Sequence, residues 1–171
     1  MRRRLFLLAV VVHAAVLIGW AASLETARAP AVAVRLEVVQ RDPRDLLRGD
    51  YVWLNFKVSS IPLAAFTPSP HRAGPGDRVY VALAPAGATY EVVAASLSRE
   101  ALPLRPGHLL LVGTVQSPSP QGVHVLYGIE RYYVPEGKGN PPRGKIEAEV
   151  ALTPDGRPFL NRLYVDGRPY P

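Results

Sequence analysis

Residues 5 to 24, Leu5-Phe6-Leu7-Leu8 through Ala22-Ser23-Leu24, carry no charge and follow three arginines, Arg2, Arg3 and Arg4. At about 1.5 Å per residue, about 20 residues span a bilayer's hydrocarbon core of about 30 Å, so the pattern predicts one N-terminal transmembrane helix with the lipid bilayer as its surroundings. The basic tip before it and the weaker, mixed charge after it (Glu25, Arg28) predict a cytoplasmic N-terminus, single-pass insertion in the cell membrane, and an extracytoplasmic, periplasmic or cell-surface, remainder. An apolar run longer than the roughly 7 to 15 residues of a cleavable signal favours an uncleaved anchor, although Ala21-Ala22-Ser23 has the small residues that cleavage needs. His13 interrupts the span, and an ionisable residue there marks a candidate contact with a partner helix. The organisation expected is residues 1–29 as basic tip and anchor and 30–171 as a single extracytoplasmic domain.

Beyond Ala31 the period changes to two. Val32, Val34, Leu36 and Val38 alternate with Ala33, Arg35, Glu37 and Val39, and a second alternating run begins at Asp50 and continues to about Val58. Residues 59–77, with four prolines and two glycines, read as a long loop. Further strands are expected at 78–83, 89–97, 108–115, 123–134, 144–152 and 159–165, separated by breakers such as Pro106-Gly107 and Pro154-Asp155-Gly156. Eight short strands predict an all-β fold, an antiparallel sandwich or partly closed barrel.

Residues 41–56 hold the densest charge. Asp42 suits an N-cap, Pro43 the first helical position, Asp45 the acidic place of a capping box and Gly49 a left-handed C-terminal cap, which together predict one helical turn before the strand. The strand's Gly49-Asp50-Tyr51-Val52-Trp53-Leu54-Asn55-Phe56 resembles the signature of the GDYXXLXY family of bacterial membrane-anchored proteins, with Phe56 where the family has its last Tyr. Asp42-Pro43-Arg44-Asp45-Leu46-Leu47-Arg48 is similar to that family's lead-in, and Tyr127-Gly128-Ile129-Glu130-Arg131-Tyr132-Tyr133-Val134-Pro135-Glu136-Gly137 to its second block, so that the resemblance spans roughly 35–168. It implies architecture and location rather than an activity. It also implies a partner class, since proteins of this kind are often encoded beside, or fused to, multi-pass membrane proteins.

Composition narrows the chemistry. The 18 Pro and 14 Gly among 171 residues disfavour helix, and about 140 residues outside the anchor suffice for one core. With no Cys there is no disulfide framework, thiolate zinc site or thiol nucleophile. Net charge is +6, but Arg2, Arg3 and Arg4 supply half of it, so no nucleic-acid surface is expected. His71, His108 and His124 lack metal-ligand spacing and have no Asp or Glu within two residues, and no serine sits in a nucleophile elbow; neither a metal nor another cofactor is expected. The run Leu46-Leu47-Arg48-Gly49-Asp50, with Gly76-Asp77-Arg78-Val79, is similar in layout to type I signal peptidases, but Arg41 stands where those enzymes have the nucleophilic Ser.

Two readings follow for the charged blocks. In one, Arg41, Asp42, Arg44, Asp45, Arg48 and Asp50 face Glu130, Arg131 and Glu136 beside Tyr51, Tyr132 and Tyr133, making an interaction surface for a membrane partner. In the other, a hydrolase or envelope-ligand site lies between the blocks, with Tyr51, Trp53 and Tyr90 as candidate aromatic platforms for polysaccharide. The plainer role for Asp42 and Asp45 is capping a turn.

Overall fold

The computed structural model describes residues 2–28, 31–39, 51–69, 73–134 and 144–170. The chain divides into two compact units, Met1–Ala31 and Val32–Pro171. The first is α1 (Arg2–Arg28), which contains the one helix among the described residues long and apolar enough to cross a membrane, Arg3–Ser23. Every side chain from Arg3 to Ser23 is exposed, as an apolar rod without a protein partner must be.

The second unit is all-β. Its strands are β1 (Val32–Val38), β2 (Tyr51–Trp53), β3 (Ser60–Pro62), β4 (Arg78–Ala86), β5 (Thr89–Ser96) and β6 (Leu109–Ser119), followed by β7 (Gly122–Leu126), β8 (Arg131–Tyr133), β9 (Ile146–Leu152), β10 (Pro158–Val165) and β11 (Arg168–Tyr170). They form an antiparallel sheet β1-β9-β10-β11, a second antiparallel sheet β3-β7-β6-β4-β5, and a ribbon β2-β8, which together make a nearly closed, barrel-like fold. Bulges at Val115/Ser117 and Leu160/Arg162 add the local twist that curls such sheets.

Strict alternation puts the core between the sheets. Val34, Leu36 and Val38 of β1 and Ile146, Ala148, Val150 and Leu152 of β9 point inward, against Val79, Val81, Leu111, Val123 and Val125 of the other sheet. The outward face of β1 and β9 is ionic. Glu37 stands directly across from Glu147, and Lys57 (3.5 Å from Glu37) and Lys145 (2.8 Å from Glu147) offset the like charges. Arg35 bridges to Glu147 at 3.4 Å and lies 4.4 Å from the centre of the Tyr164 ring.

Three expectations are revised. The predicted strand 123–134 is broken at Gly128, whose φ of +80° turns the chain off the sheet, so β7 and β8 belong to different sheets. The run expected to alternate to about Val58 ends in a 3-10 turn at Lys57–Ser59, and the expected loop 59–77 holds instead the edge strand β3 and a second 3-10 turn at Leu63–Ala65, because Ile61 and Phe66 bury in the core. The C-terminal end adds β11 through the two-residue turn Asp166-Gly167, both at positive φ. Eleven strands among the described residues therefore replace about eight.

The signature segment proves to be the seam between the sheets. Tyr51, Val52 and Trp53 pair with Tyr133, Tyr132 and Arg131; the Leu54 N–H donates to the Glu130 carbonyl at 2.7 Å, and the Asn55 carbonyl accepts from Val39 N–H at 2.7 Å. Phe56 bridges Val38, β3 pairs with β7, and Thr67 N–H donates to Ala95 of β5 at 2.8 Å. Gly113 lets the Tyr127 ring pass: a Cβ there would lie 2.4 Å from the Val125 side chain and 2.7 Å from that ring, whose hydroxyl donates to the Val58 carbonyl at 2.6 Å.

Leu54→Ala should cost about 2–5 kcal/mol through the cavity it leaves, and Gly113→Ala about 1–3 kcal/mol through overpacking. Both are read as a lower urea midpoint for the intact protein in detergent.

Candidate functional site

The two motif blocks meet as neighbouring strands, β2 and β8, but their residues serve different ends. Leu54 and Phe56 are fully buried and belong to the core. Tyr51 contributes its backbone to the ribbon opposite Tyr133. Tyr132 is half-buried and its hydroxyl donates to the Tyr170 carbonyl at 3.3 Å, tying β8 to β11. Asp42, Arg44, Asp45, Gly49 and Asp50 of the lead-in, Glu136 of the second block, and His71 lie outside the described residues.

Glu130 is 5 % exposed, and its two carboxylate oxygens accept from the backbone N–H groups of Tyr127 and of Gly128, the latter at 2.9 Å. Those N–H groups lose their ladder partners where the chain leaves β7, so the carboxylate replaces the missing strand. Glu130 is thus spent on the Gly128 turn. The first-block cations expected to form an array with Glu130, namely Arg41, Arg44 and Arg48, lie outside the described residues. Burial pushes the neighbouring Tyr127 hydroxyl well above the ordinary phenol range, with the Glu130 charge adding to it.

What the ribbon does expose is a hollow of about 960 Å³. Its floor is the outward face of the five-stranded sheet, with Arg78 and Tyr80 on β4 and Thr114 on β6; β2 and β8 contribute Trp53 and Arg131, and the β9–β10 turn contributes Arg157. That turn is seated where β7 has departed: Val112 N–H donates to the Gly156 carbonyl at 2.8 Å. The Arg131 guanidinium stands 5.8 Å from the Trp53 ring centre. Arg157 pairs with Asp155 at 2.8 Å, whereas Arg78 and Arg99 have no carboxylate within salt-bridge distance among the described residues.

Thr153 holds the Asp155 carboxyl below the usual carboxylate range through a hydroxyl hydrogen bond, and the nearby Arg157 charge lowers it further. A second hollow, about 660 Å³, adjoins this one and is lined by Trp53, Asn55, Ser60, Gln116, Gln121 and His124 among others.

Sequence reasoning picked out Trp53 and Arg131 but missed Arg78, Arg99, Arg157 and the amide-bearing residues. Their outward direction was readable at Arg78 and Tyr80, which alternate with the inward Val79 and Val81. Their convergence was not, since it depends on the path of β8 and of the β9–β10 turn. Of the other two proposed aromatic platforms, Tyr90 packs partly buried against the core, and the Tyr51 side chain lies outside what is described.

The barrel-like β unit is closed at its seam by the described part of the signature, which begins at Tyr51. Residues 13–163 match the model of the GDYXXLXY protein family, and the chain belongs to that family. No curated protein and no solved structure matches it.

Glu130→Gln, which sets an amide nitrogen against one of the two backbone N–H groups, should cost about 1–3 kcal/mol in urea unfolding, whereas Arg131→Ala should cost less than about 1 kcal/mol. A carboxyl with a lowered folded pKa stabilises above its unfolded value, and that stabilisation is lost as pH falls through the folded value. Thr153→Val should therefore raise the Asp155 pKa, read by carboxyl carbon chemical shifts, and shrink the part of the stability that is lost as pH falls from the unfolded to the folded Asp155 value.

Proposed function

We propose that this protein is a membrane-tethered, non-enzymatic β module that works outside the cytoplasm as an accessory to a multi-pass membrane protein. The observation that carries the reading is the use made of the signature: Leu54 and Phe56 fill the core and Glu130 is committed to two backbone amides. A motif spent on closing a fold specifies a scaffold, and a scaffold is kept for the surface it presents. Supporting the tether, Arg3–Ser23 is long enough to cross a bilayer, and it begins at the basic tip that favours a cytoplasmic N-terminus. His13 is the one ionisable residue between Leu5 and Leu24 and is the natural place for contact with a partner's helix.

A C-terminal alkaline phosphatase fusion should be active and a C-terminal green fluorescent protein fusion dark in the native host. A photo-crosslinker placed at position 13 of the intact protein should capture one stoichiometric protein with several spans. An inactive phosphatase fusion, or crosslinks to lipid alone, would overturn the reading.

A further inference from the structure

The two hollows on the outward face of the five-stranded sheet are parts of one trough. Trp53 stands in the wall of both. On β7, His124 lines the first and Leu126 the second, and residues two apart on a strand face the same side roughly 7 Å from one another. Gln116 and Thr114 repeat the division on β6.

The halves differ in chemistry. The first offers amides from Asn55, Gln116 and Gln121 and hydroxyls from Ser60, Ser117 and Ser119, and among the described residues its lining contains no Asp, Glu, Lys or Arg. Neutral donors and acceptors of both kinds, next to an indole face that attracts polarised C–H groups, suit the hydroxyls and C–H faces of a sugar ring. Among the described residues the second half is lined by four guanidinium groups and two carboxylates; Asp155 is paired with Arg157, Glu130 is turned to backbone amides and Arg131 is already engaged, which leaves Arg78 and Arg99. Guanidinium forks bind carboxylate and phosphate, and Arg78 and Arg99 make no salt bridge among the described residues, although the exposed Glu100 carboxylate feels the Arg99 charge.

We propose that this trough binds a glycan chain bearing acidic groups, with a sugar ring on Trp53, neutral hydroxyls against the amide side and carboxylate or phosphate groups at Arg78 and Arg99. Charge complementarity sets the acidic character, and the placement excludes the usual peptide mode. An extended peptide adds to an open sheet edge through its main chain, whereas the trough lies on the face of strands already paired with one another. The inference uses a face that the membrane-partner reading leaves free, so either stands without the other.

The test is isothermal titration of the full-length protein in detergent with oligogalacturonate, its methyl ester, a phosphorylated mannan oligosaccharide and poly-L-glutamate. Acidic glycan should bind and the methyl ester should not. Trp53→Ala should weaken binding about tenfold or more, as should the pair Arg78→Gln with Arg99→Gln. If Trp53→Ala lowers the thermal midpoint, the exposed pair Gln116→Ala with Gln121→Ala takes its place and should weaken binding likewise. Binding of the phosphorylated mannan alone would support the trough as a glycan site and assign its acid as phosphate. Poly-L-glutamate binding as tightly as the acidic glycans, no acidic glycan binding, or affinity indifferent to these substitutions would overturn the proposal.

Discussion

Between Tyr51 and Thr67 one run of backbone bonds in turn to β8, β1, β7 and β5, and the curvature of the whole domain rests on that sequence of partners. Neither large sheet closes on itself. Each leaves unpaired strand edges, an invitation to aggregation in a small β protein. The run spends three residues with one partner, moves to the next, and buries Val52, Leu54, Phe56, Val58, Ile61 and Phe66 as it goes. Hydrogen bonding and apolar burial therefore act on the same residues, and closure of the fold and completion of its core are one event.

The seam needs a counterpart that can leave one sheet for another. Gly128 permits the turn and Glu130 satisfies the N–H groups the turn exposes, while the Glu130 carbonyl accepts from Leu54. One residue thus holds the departing strand with its side chain and the arriving strand with its main chain. The vacated edge of β6 is taken up by the Gly156 carbonyl, and Tyr127, lying over Gly113, locks the corner through Val58. The described parts of both motif blocks, residues 51–56 and 127–134, build this corner.

Local pattern and long-range placement were unequally legible in the chain. Period-two alternation identified β1, β4, β5 and β9, because an inward valine and an outward charge differ enough to declare a face. It merged β7 with β8, since Val123 to Val134 is apolar enough to pass for one strand and the break depends on a carboxylate two residues beyond Gly128. The stretch after Val58 read as loop because its prolines outweighed Ile61 and Phe66, whose burial exists only once β7 and β5 are beside them. For the site, Trp53 and Arg131 were recognisable as unusual outward residues. The partners that give them a setting come from β4, β6 and the β9–β10 turn, and no spacing in a sequence reports that meeting.

The register of β1 on β9, from Val32 against Leu152 to Val38 against Ile146, has a consequence for how such a chain matures. Apart from the bridge of Val38 to Phe56, the first strand of the domain finds its ladder partner more than a hundred residues later, so for a chain emerging N-terminus first at about 5 to 20 residues per second most of it remains without one for on the order of ten seconds. The alternating arginine and glutamate of β1 make it a poor template for stray pairing during that wait, and the outer ionic face is thus also a safeguard for the newborn chain.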